Sequence, residues 1–346
     1  MTDHLPSFAS DNAAGASPEI IAALVACNDG PLPSYGADAI SGRVTQRLAE
    51  VFEREVSVFL VSTGTAANVL ALSVLTPPWG AVLCHPDSHI ENDECGAPEF
   101  YTGGAKLVHV EGAGGKLDIT QLRRAATLGK GDVHSVQPAC VSMTQATESG
   151  ALYSLEETRA IGDACREAGL ALHMDGSRFA NAVAALEASP AELTWKAGVE
   201  ILSFGATKNG ALGVEAVVLF DPARAAELAF RRKRGGHLTS KMRYLSAQME
   251  AYLDGDLWLA NARRANAMAQ RLARGLDGVA GATVQGRVEA NILFVQLPAP
   301  MVAGLLAEGF RFYTDRWGQG IARLVTSFAT TEADVDRLLA AMAKLA

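Results

Sequence analysis

The chain reads as an α/β protein: a mainly parallel seven-stranded sheet sandwiched by helices, with a smaller α/β domain at its C-terminal end. Three observations predict this. Short apolar runs alternate with amphipathic stretches over about two hundred residues, which is how strand–helix–strand units build a parallel sheet covered on both faces. Helix signals lie between several of the runs, among them a capping box at Ser154-Leu155-Glu156-Glu157. After Phe220 the character changes, and a long helical stretch without strand signal leads into a second, smaller set of elements.

The elements follow in order. Ser17-Pro18-Glu19 predicts a capped helix running through Leu24 to Asn28, with Gly30 just beyond. Strands are expected at 56–61, 81–84, 107–110, 139–143, 170–174, 201–204 and 216–220, with a helix opening at Gly64 after the first. Ser154-Leu155-Glu156-Glu157 has the spacing of a capping box and opens a helix through Arg166. One long helix is expected from about 238 to 276. Beyond it come strands at 291–297 and 321–326 and helices around 301–308 and 331–345. The domains expected are an N-terminal segment, 1–35, packing with the small domain, a large domain, 36–250, and a small one, 251–346.

Composition narrows the function. A chain of 346 residues with 49% hydrophobic and 20% charged residues buries a large core and is not disordered. Its net charge of −8 argues against a nucleic-acid partner, which needs an excess of Lys and Arg. The run Arg231-Arg232-Lys233-Arg234 reads first as a solvated helix face. Cys27, Cys84, Cys95, Cys140 and Cys165 are odd in number and scattered, so buried thiols in a reducing compartment are expected rather than disulfides or a cysteine metal site. Met1-Thr2-Asp3-His4-Leu5-Pro6 has neither the cationic start nor the apolar core of an export signal. No apolar run approaches the roughly 20 residues that cross a bilayer. A cytoplasmic protein without a membrane partner is expected.

Three segments carry chemistry. In Leu170-Ala171-Leu172-His173-Met174-Asp175-Gly176, an apolar strand ends in a carboxylate, at the edge where open parallel sheets bind ligands. In Ile201-Leu202-Ser203-Phe204-Gly205-Ala206-Thr207-Lys208, the same pattern ends in a lysine flanked by small residues, and a desolvated lysine amine suits imine chemistry. Singly, each reads as a loop cap or a solvent lysine. The third segment, Val61-Ser62-Thr63-Gly64-Thr65-Ala66-Ala67-Asn68, is strand, small-residue turn and helix, and so an anion cup, though neither a Walker A nor a GxGxxG sequence. An anion site, a carboxylate for a pyridinium nitrogen and an imine-forming amine are together what pyridoxal 5'-phosphate needs. His85 and His89 stand at metal-pair spacing, but without HExxH or a third ligand no metal is expected.

The segments STGTAAN, DSHIENDECG, LHMDGSRF, SFGATKNG and GIARLVTSF follow one another in a chain that opens on Phe8-Ala9-Ser10-Asp11-Asn12. In that order they resemble the low-specificity L-threonine aldolases, close to the phenylserine aldolase-like subgroup, which are pyridoxal-phosphate enzymes of fold type I. The resemblance implies that Lys208 holds the cofactor as an imine, that Asp175 pairs with its ring nitrogen and that His89 stacks on its ring. It implies Gly64 and Thr65 at the phosphate, helped by Lys233 across a subunit boundary. Arg178, at the edge of the cofactor site, and Arg323 would clamp the substrate carboxylate, with Ser10 nearby and Tyr35 on a loop at a dimer interface. His89 and His134 would be the catalytic candidates for the β-hydroxyl proton. The implied reaction is retro-aldol cleavage of a small β-hydroxy-α-amino acid to glycine and an aldehyde, by a homo-oligomer built as a dimer of dimers. The chain departs from the common pattern at Glu148, where many members carry a second histidine. Another pyridoxal-phosphate reaction of the same fold (aminotransferase, β-eliminating lyase, racemase) and a nucleotide-binding α/β protein are the alternatives.

Overall fold

Seven apolar runs pair edge to edge into one sheet in a computed structural model that describes residues 7–346. Residues 1–6, read above as free of an export signal, lie outside the described residues. The strands are β1 (Ser57–Val61), β2 (Gly80–Cys84), β3 (Lys106–His109), β4 (Gln137–Thr144), β5 (Ala171–Gly176), β6 (Ile201–Gly205) and β7 (Glu215–Leu219). Their order is β1-β7-β6-β5-β4-β2-β3. All neighbours from β6 to β3 are parallel, and β7 runs antiparallel to both β6 and β1. Every residue of β2, β5, β6 and β7 is buried. Helices cover both faces, so a continuous apolar run and not an alternating one is stable there.

The core of this layer gathers Phe52, Phe179, Phe204, Phe220, Tyr252 and Trp258 around Leu172, Leu202 and Val218. Each such side chain contributes roughly 1.5–3 kcal/mol on burial. The expected single long helix is two. A helix at Arg243–Leu253 and another at Leu257–Leu276 are separated by a turn in which Gly255 and Asp256 take φ of 55° and 57°. The signal, Leu-Asp-Gly-Asp, was in the sequence, since Gly tolerates that conformation without penalty.

The second sheet is antiparallel, with the order β10-β11-β9-β8. It comprises β8 (Thr283–Gln285), β9 (Ile292–Gln296), β10 (Tyr313–Asp315) and β11 (Gly318–Val325). The two three-residue edge strands, β8 and β10, were not expected; they are too short to carry a pattern. Helices Ala299–Ala307 and Glu332–Leu345 pack on this sheet over a core of Leu272, Leu293, Leu324 and Leu338. Phe8, fully buried, belongs to the same core, its amide donating to Arg311 O and its carbonyl accepting from Val325 N, each at 2.8 Å.

Two caps separate expectation from outcome. Ser154 and Glu157 form the capping box of the helix Leu155–Ala168. Ser17 precedes the helix Pro18–Ala26 but makes no side-chain cap; its hydroxyl accepts instead from Asn261 Nδ2 at 3.1 Å. No helix among the described residues is long and apolar enough to cross a membrane.

Candidate active site

Strand direction brings the site together. β4, β5 and β6 are parallel, so they end at one edge, where Thr144 lies beside Asp175. β7 is antiparallel and therefore starts at that edge, with Glu215 beside both Gly205 and Val61. The segments after β1, β5 and β6 consequently converge on a cavity of about 280 Å³ lined by Ser62, Thr63, Gly64, Thr65, Asn68, His89, Ser177, Thr207, Lys208, Glu215 and Asn12.

On one wall the helix Gly64–Leu75 begins. Thr63 caps it, its Oγ1 accepting from Ala66 N, while Thr63 O accepts from Ala67 N. The amides of Gly64 and Thr65 are thus left for an anion, at the positive end of the helix dipole. A Cβ at Gly64 would meet nothing nearer than Ser177 Oγ at 3.7 Å. Glycine keeps cavity space there rather than relieving a clash. Gly205 does relieve one, since a Cβ there would lie 2.5 Å from Ser177 O.

Behind the lining residues Ser177 and Asn68, Asp175 is buried and held by three donors: Ser177 N at 3.0 Å and Ser177 Oγ at 2.8 Å to Oδ1, and Asn68 Nδ2 at 2.9 Å to Oδ2. Burial pushes its carboxyl up, but the charges of His89 and Lys208 and the Ser177 bonds outweigh that and hold it below the usual carboxylate range. His89 Nδ1 lies 2.8 Å from Glu94 Oε1, and this bond, against burial, moves the imidazole above its ordinary value. Glu94 is also raised, because its burial outweighs the bonds from His89 and Asn68. Glu215 accepts from Ala206 N at 2.6 Å and is likewise raised by burial.

Two arginines, Arg178 buried and Arg323 half-buried, stand close by and are differently used. Arg178 Nε and Nη2 donate to Asp11 at 2.8 and 3.1 Å, and Asn291 Nδ2 donates to the same carboxylate at 3.1 Å. The fork that was expected to hold substrate already holds Asp11, which leaves Arg178 less to offer than a free clamp. Arg323, on β11, has a buried Nε without a hydrogen-bond partner among the described residues, and its guanidinium lies 5.3 Å from the Trp317 ring. Burial and then the charge of Arg178 push Arg323 down, opposed by Glu148 and Asp11.

Besides the two arginines, four expected residues, His134, Lys233, Tyr35 and Ser10, do not line the cavity of their own chain. His134 is exposed, on the turn before β4, and so at the opposite edge of the sheet. The length of β4, eight residues at about 3.3 Å each, puts roughly 25 Å between the two edges. Lys233, on the helix Ala225–Arg234, lies 5.0 Å above the ring of Tyr35, which is about half exposed with φ 59°. Ser10 is a cap: its Oγ accepts from Asn12 N at 3.1 Å, beside Asp11.

The family model described as beta-eliminating lyase matches residues 7–299. The chain is 44% identical to a low-specificity L-threonine aldolase of a Pseudomonas species over 98% of each chain. It is also 44% identical to one of Pseudomonas aeruginosa, over 98% of this chain and 96% of that one. The chain belongs to the beta-eliminating lyase family. The solved threonine aldolase of Leishmania major superposes with a TM-score of 0.92 at 30% identity, covering 98% of this chain and 99% of that one, and the fold is accordingly that of the fold type I enzymes.

Members of the beta-eliminating lyase family depend on pyridoxal phosphate, and the residues of this site fit it. A helix start with two spare amides is open to a phosphate, Lys208 lines the same cavity, and a carboxylate kept ionised is bonded to its lining residues Asn68 and Ser177. Sequence reasoning named Lys208, Asp175, Gly64, Thr65 and His89 but passed over Asn68, Glu94, Asp11 and Ser177, all inside the motifs it quoted. It also missed Glu215, whose only signal is a carboxylate at the head of an apolar strand.

Proposed function

We propose that the chain cleaves L-threonine, L-allo-threonine and related L-β-hydroxy-α-amino acids to glycine and an aldehyde. The observation that carries this reading is the convergence of Lys208, His89 and the Gly64–Thr65 helix start on one cavity over Asp175. Bound there, pyridoxal phosphate supplies an electron sink for the bond that breaks between Cα and Cβ. Lys208, in the cavity wall, would hold the group through its amine and would carry a proton at Cα of the substrate. Asp175 would keep a proton on the ring nitrogen; the charges of His89 and Lys208 and the bonds from Ser177 hold its carboxylate ionised for that purpose. His89, which lines the cavity, would cover a ring bound there and take the β-hydroxyl proton, directly or through water. Arg323, with an unused buried donor, binds the substrate carboxylate; Arg178 lends charge and holds Asp11 in place. His134 has no part in this scheme within one chain.

Supporting the aldolase reading over another pyridoxal-phosphate reaction are the two relatives that match over nearly the whole chain. The same reading takes the enzyme as a cytoplasmic homotetramer, a dimer of dimers, and divides it at 35/36 and 250/251. Five free cysteines, four of them buried, accord with a reducing compartment. Phe8 in the small core accords with the N-terminal division, although Ile20 packs in the large core. The test is to incubate the holoenzyme separately with the four threonine stereoisomers and L-phenylserine and to quantify glycine and aldehyde. Both L-isomers and phenylserine should be cleaved and the D-isomers left intact. Absence of glycine from every substrate would overturn the reading.

A further inference from the structure

We propose that Glu94 is a positioning residue, which fixes the tautomer and orientation of His89 and, through Asn68, ties that imidazole to Asp175. Glu94 stands out within its own segment. Asp93 and Cys95 on either side are exposed, whereas the Glu94 side chain is wholly buried. The chain turns it inward through two successive left-handed residues, Cys95 at φ 53° and Gly96 at φ 74°. A carboxylate so enclosed is costly without partners. It has two, and both lead into the cavity.

The first is His89. An ionised carboxylate only accepts, so Nδ1 of His89 is the donor across the 2.8 Å contact, and Nε2 is the nitrogen left for chemistry. The second is Asn68, whose amide nitrogen has two hydrogens and two acceptors, Glu94 Oε1 and Asp175 Oδ2, each at 2.9 Å. The same nitrogen therefore spans the group that keeps the ring nitrogen protonated and the group that orients the imidazole. Glu94 Oε2 and Asn68 Oδ1 have no hydrogen-bond partner among the described residues. The link thus runs through one oxygen and one nitrogen only. The charged groups that face His89 are Glu94, Asp175 and Lys208; the bond to Glu94 is the strongest influence raising its proton affinity, and Lys208 and burial oppose it.

The inference rests on the site reading above, but one of its readouts does not depend on the reaction. Glu94→Gln is isosteric: its Oε1 still accepts from His89 and Asn68, and its nitrogen replaces the unpartnered Oε2. Only the charge is lost. In holoenzyme labelled at histidine Cε1, the resonance that vanishes in His89→Asn, one of seven histidines, is titrated in both proteins. The His89 titration should fall by about one pH unit in Glu94→Gln, the usual size of a neighbouring-charge effect. The acid limb of kcat for glycine release should move to lower pH with it, while the plateau falls about tenfold as the base weakens. A merely structural role would lower the plateau and leave both titrations in place. Should Glu94→Gln not fold, Glu94→Asp keeps the charge but withdraws it by one methylene, and the His89 titration must again move. An unmoved titration in whichever variant folds overturns the proposal. If the parent enzyme releases no glycine while the titration still moves, the aldolase reading fails and the role of Glu94 stands.

Discussion

His89 and His134 stand at opposite edges of one sheet, and the contrast shows what makes a histidine chemical. His89 follows β2 at the edge where β4, β5 and β6 end; it is half-buried, faces a cavity and is paired with a buried carboxylate. His134 precedes β4 at the other edge, exposed, on a turn that satisfies itself. Gln137 closes that turn, donating from Nε2 to the carbonyls of Gly129, Asp132 and Ser135 and accepting from Gly131 N. One edge aims polar groups into a cavity; at the other, the turn that carries His134 ties its polar groups to Gln137. In a parallel sheet that asymmetry follows from strand direction alone.

The largest effect should come from the edge that carries the amine. Lys208→Ala should remove the borohydride-reducible attachment of the cofactor and lower glycine release by several orders of magnitude, as loss of a covalent catalyst does. Weak, non-covalent cofactor binding at the Gly64–Thr65 helix start should persist, detectable by fluorescence. A reducible adduct in the variant would place the attachment elsewhere.

How much of this was legible beforehand depended on whether the signal was local. Each of the seven main strands lies within two residues of its expected position, and in β2, β5, β6 and β7 burial on both faces writes an uninterrupted apolar run. Lys208 and Asp175 were legible because each ends such a run. Glu94, Asp11 and Glu215 were not, since a carboxylate becomes notable only when the register across the sheet buries it against Asn68, Arg178 or Ala206. The side on which His134 falls was legible, since it precedes the strand expected at 139–143 whereas Asp175 and Lys208 follow theirs, and parallel strands end at one edge.

Within the active edge, the two arginines should separate. Arg178→Met leaves the buried Asp11 carboxylate without its charge partner, so stability should drop by about 3–5 kcal/mol, measured as a shift in urea midpoint. Arg323→Met breaks no ion pair and should barely move that midpoint. It should instead raise KM by roughly ten- to hundredfold, the 1.5–3 kcal/mol of a charge-assisted bond to the substrate carboxylate. Equal destabilisation by both would erase the distinction drawn from their partners.

Between the edges, mid-sheet, lies a third histidine that does neither job. His173 on β5 is fully buried, with Ser142 Oγ at 2.9 Å from Nδ1 and Ser203 Oγ at 3.0 Å from Nε2, bridging β4, β5 and β6. Burial lowers its proton affinity to a pKa of about 4, against an ordinary value of 6.5. The folded state therefore prefers the neutral imidazole. Its contribution is complete above pH 6.5 and is lost progressively as pH falls from there to about 4. The loss should reach on the order of 3 kcal/mol. His173→Gln, which keeps hydrogen-bonding capacity but does not titrate, should flatten the fall in urea midpoint between pH 7 and 4; an equally steep fall in the variant would remove His173 as its cause.

The smallest expected effect belongs to the inactive edge and tests the comparison most directly. His134 makes one backbone contact, its amide donating to Asp132 Oδ1 at 3.0 Å, and that bond does not need the imidazole. The ring is exposed, and Gln137, not His134, holds the turn. His134→Ala should consequently leave the urea midpoint within about 0.5 kcal/mol, as surface substitutions do. It should also leave kcat/KM for L-threonine within about twofold, below 0.5 kcal/mol of transition-state stabilisation. His89→Asn, measured alongside, should lower kcat by about a hundredfold, the lower range for a displaced acid–base group. Strand direction within one chain separates the two by roughly 25 Å, and only a second subunit could bring His134 to a cavity. A tenfold or greater fall in kcat/KM for His134→Ala, at unchanged stability, would therefore mean that the site is shared between chains, and the contrast between the two edges would hold for the monomer alone.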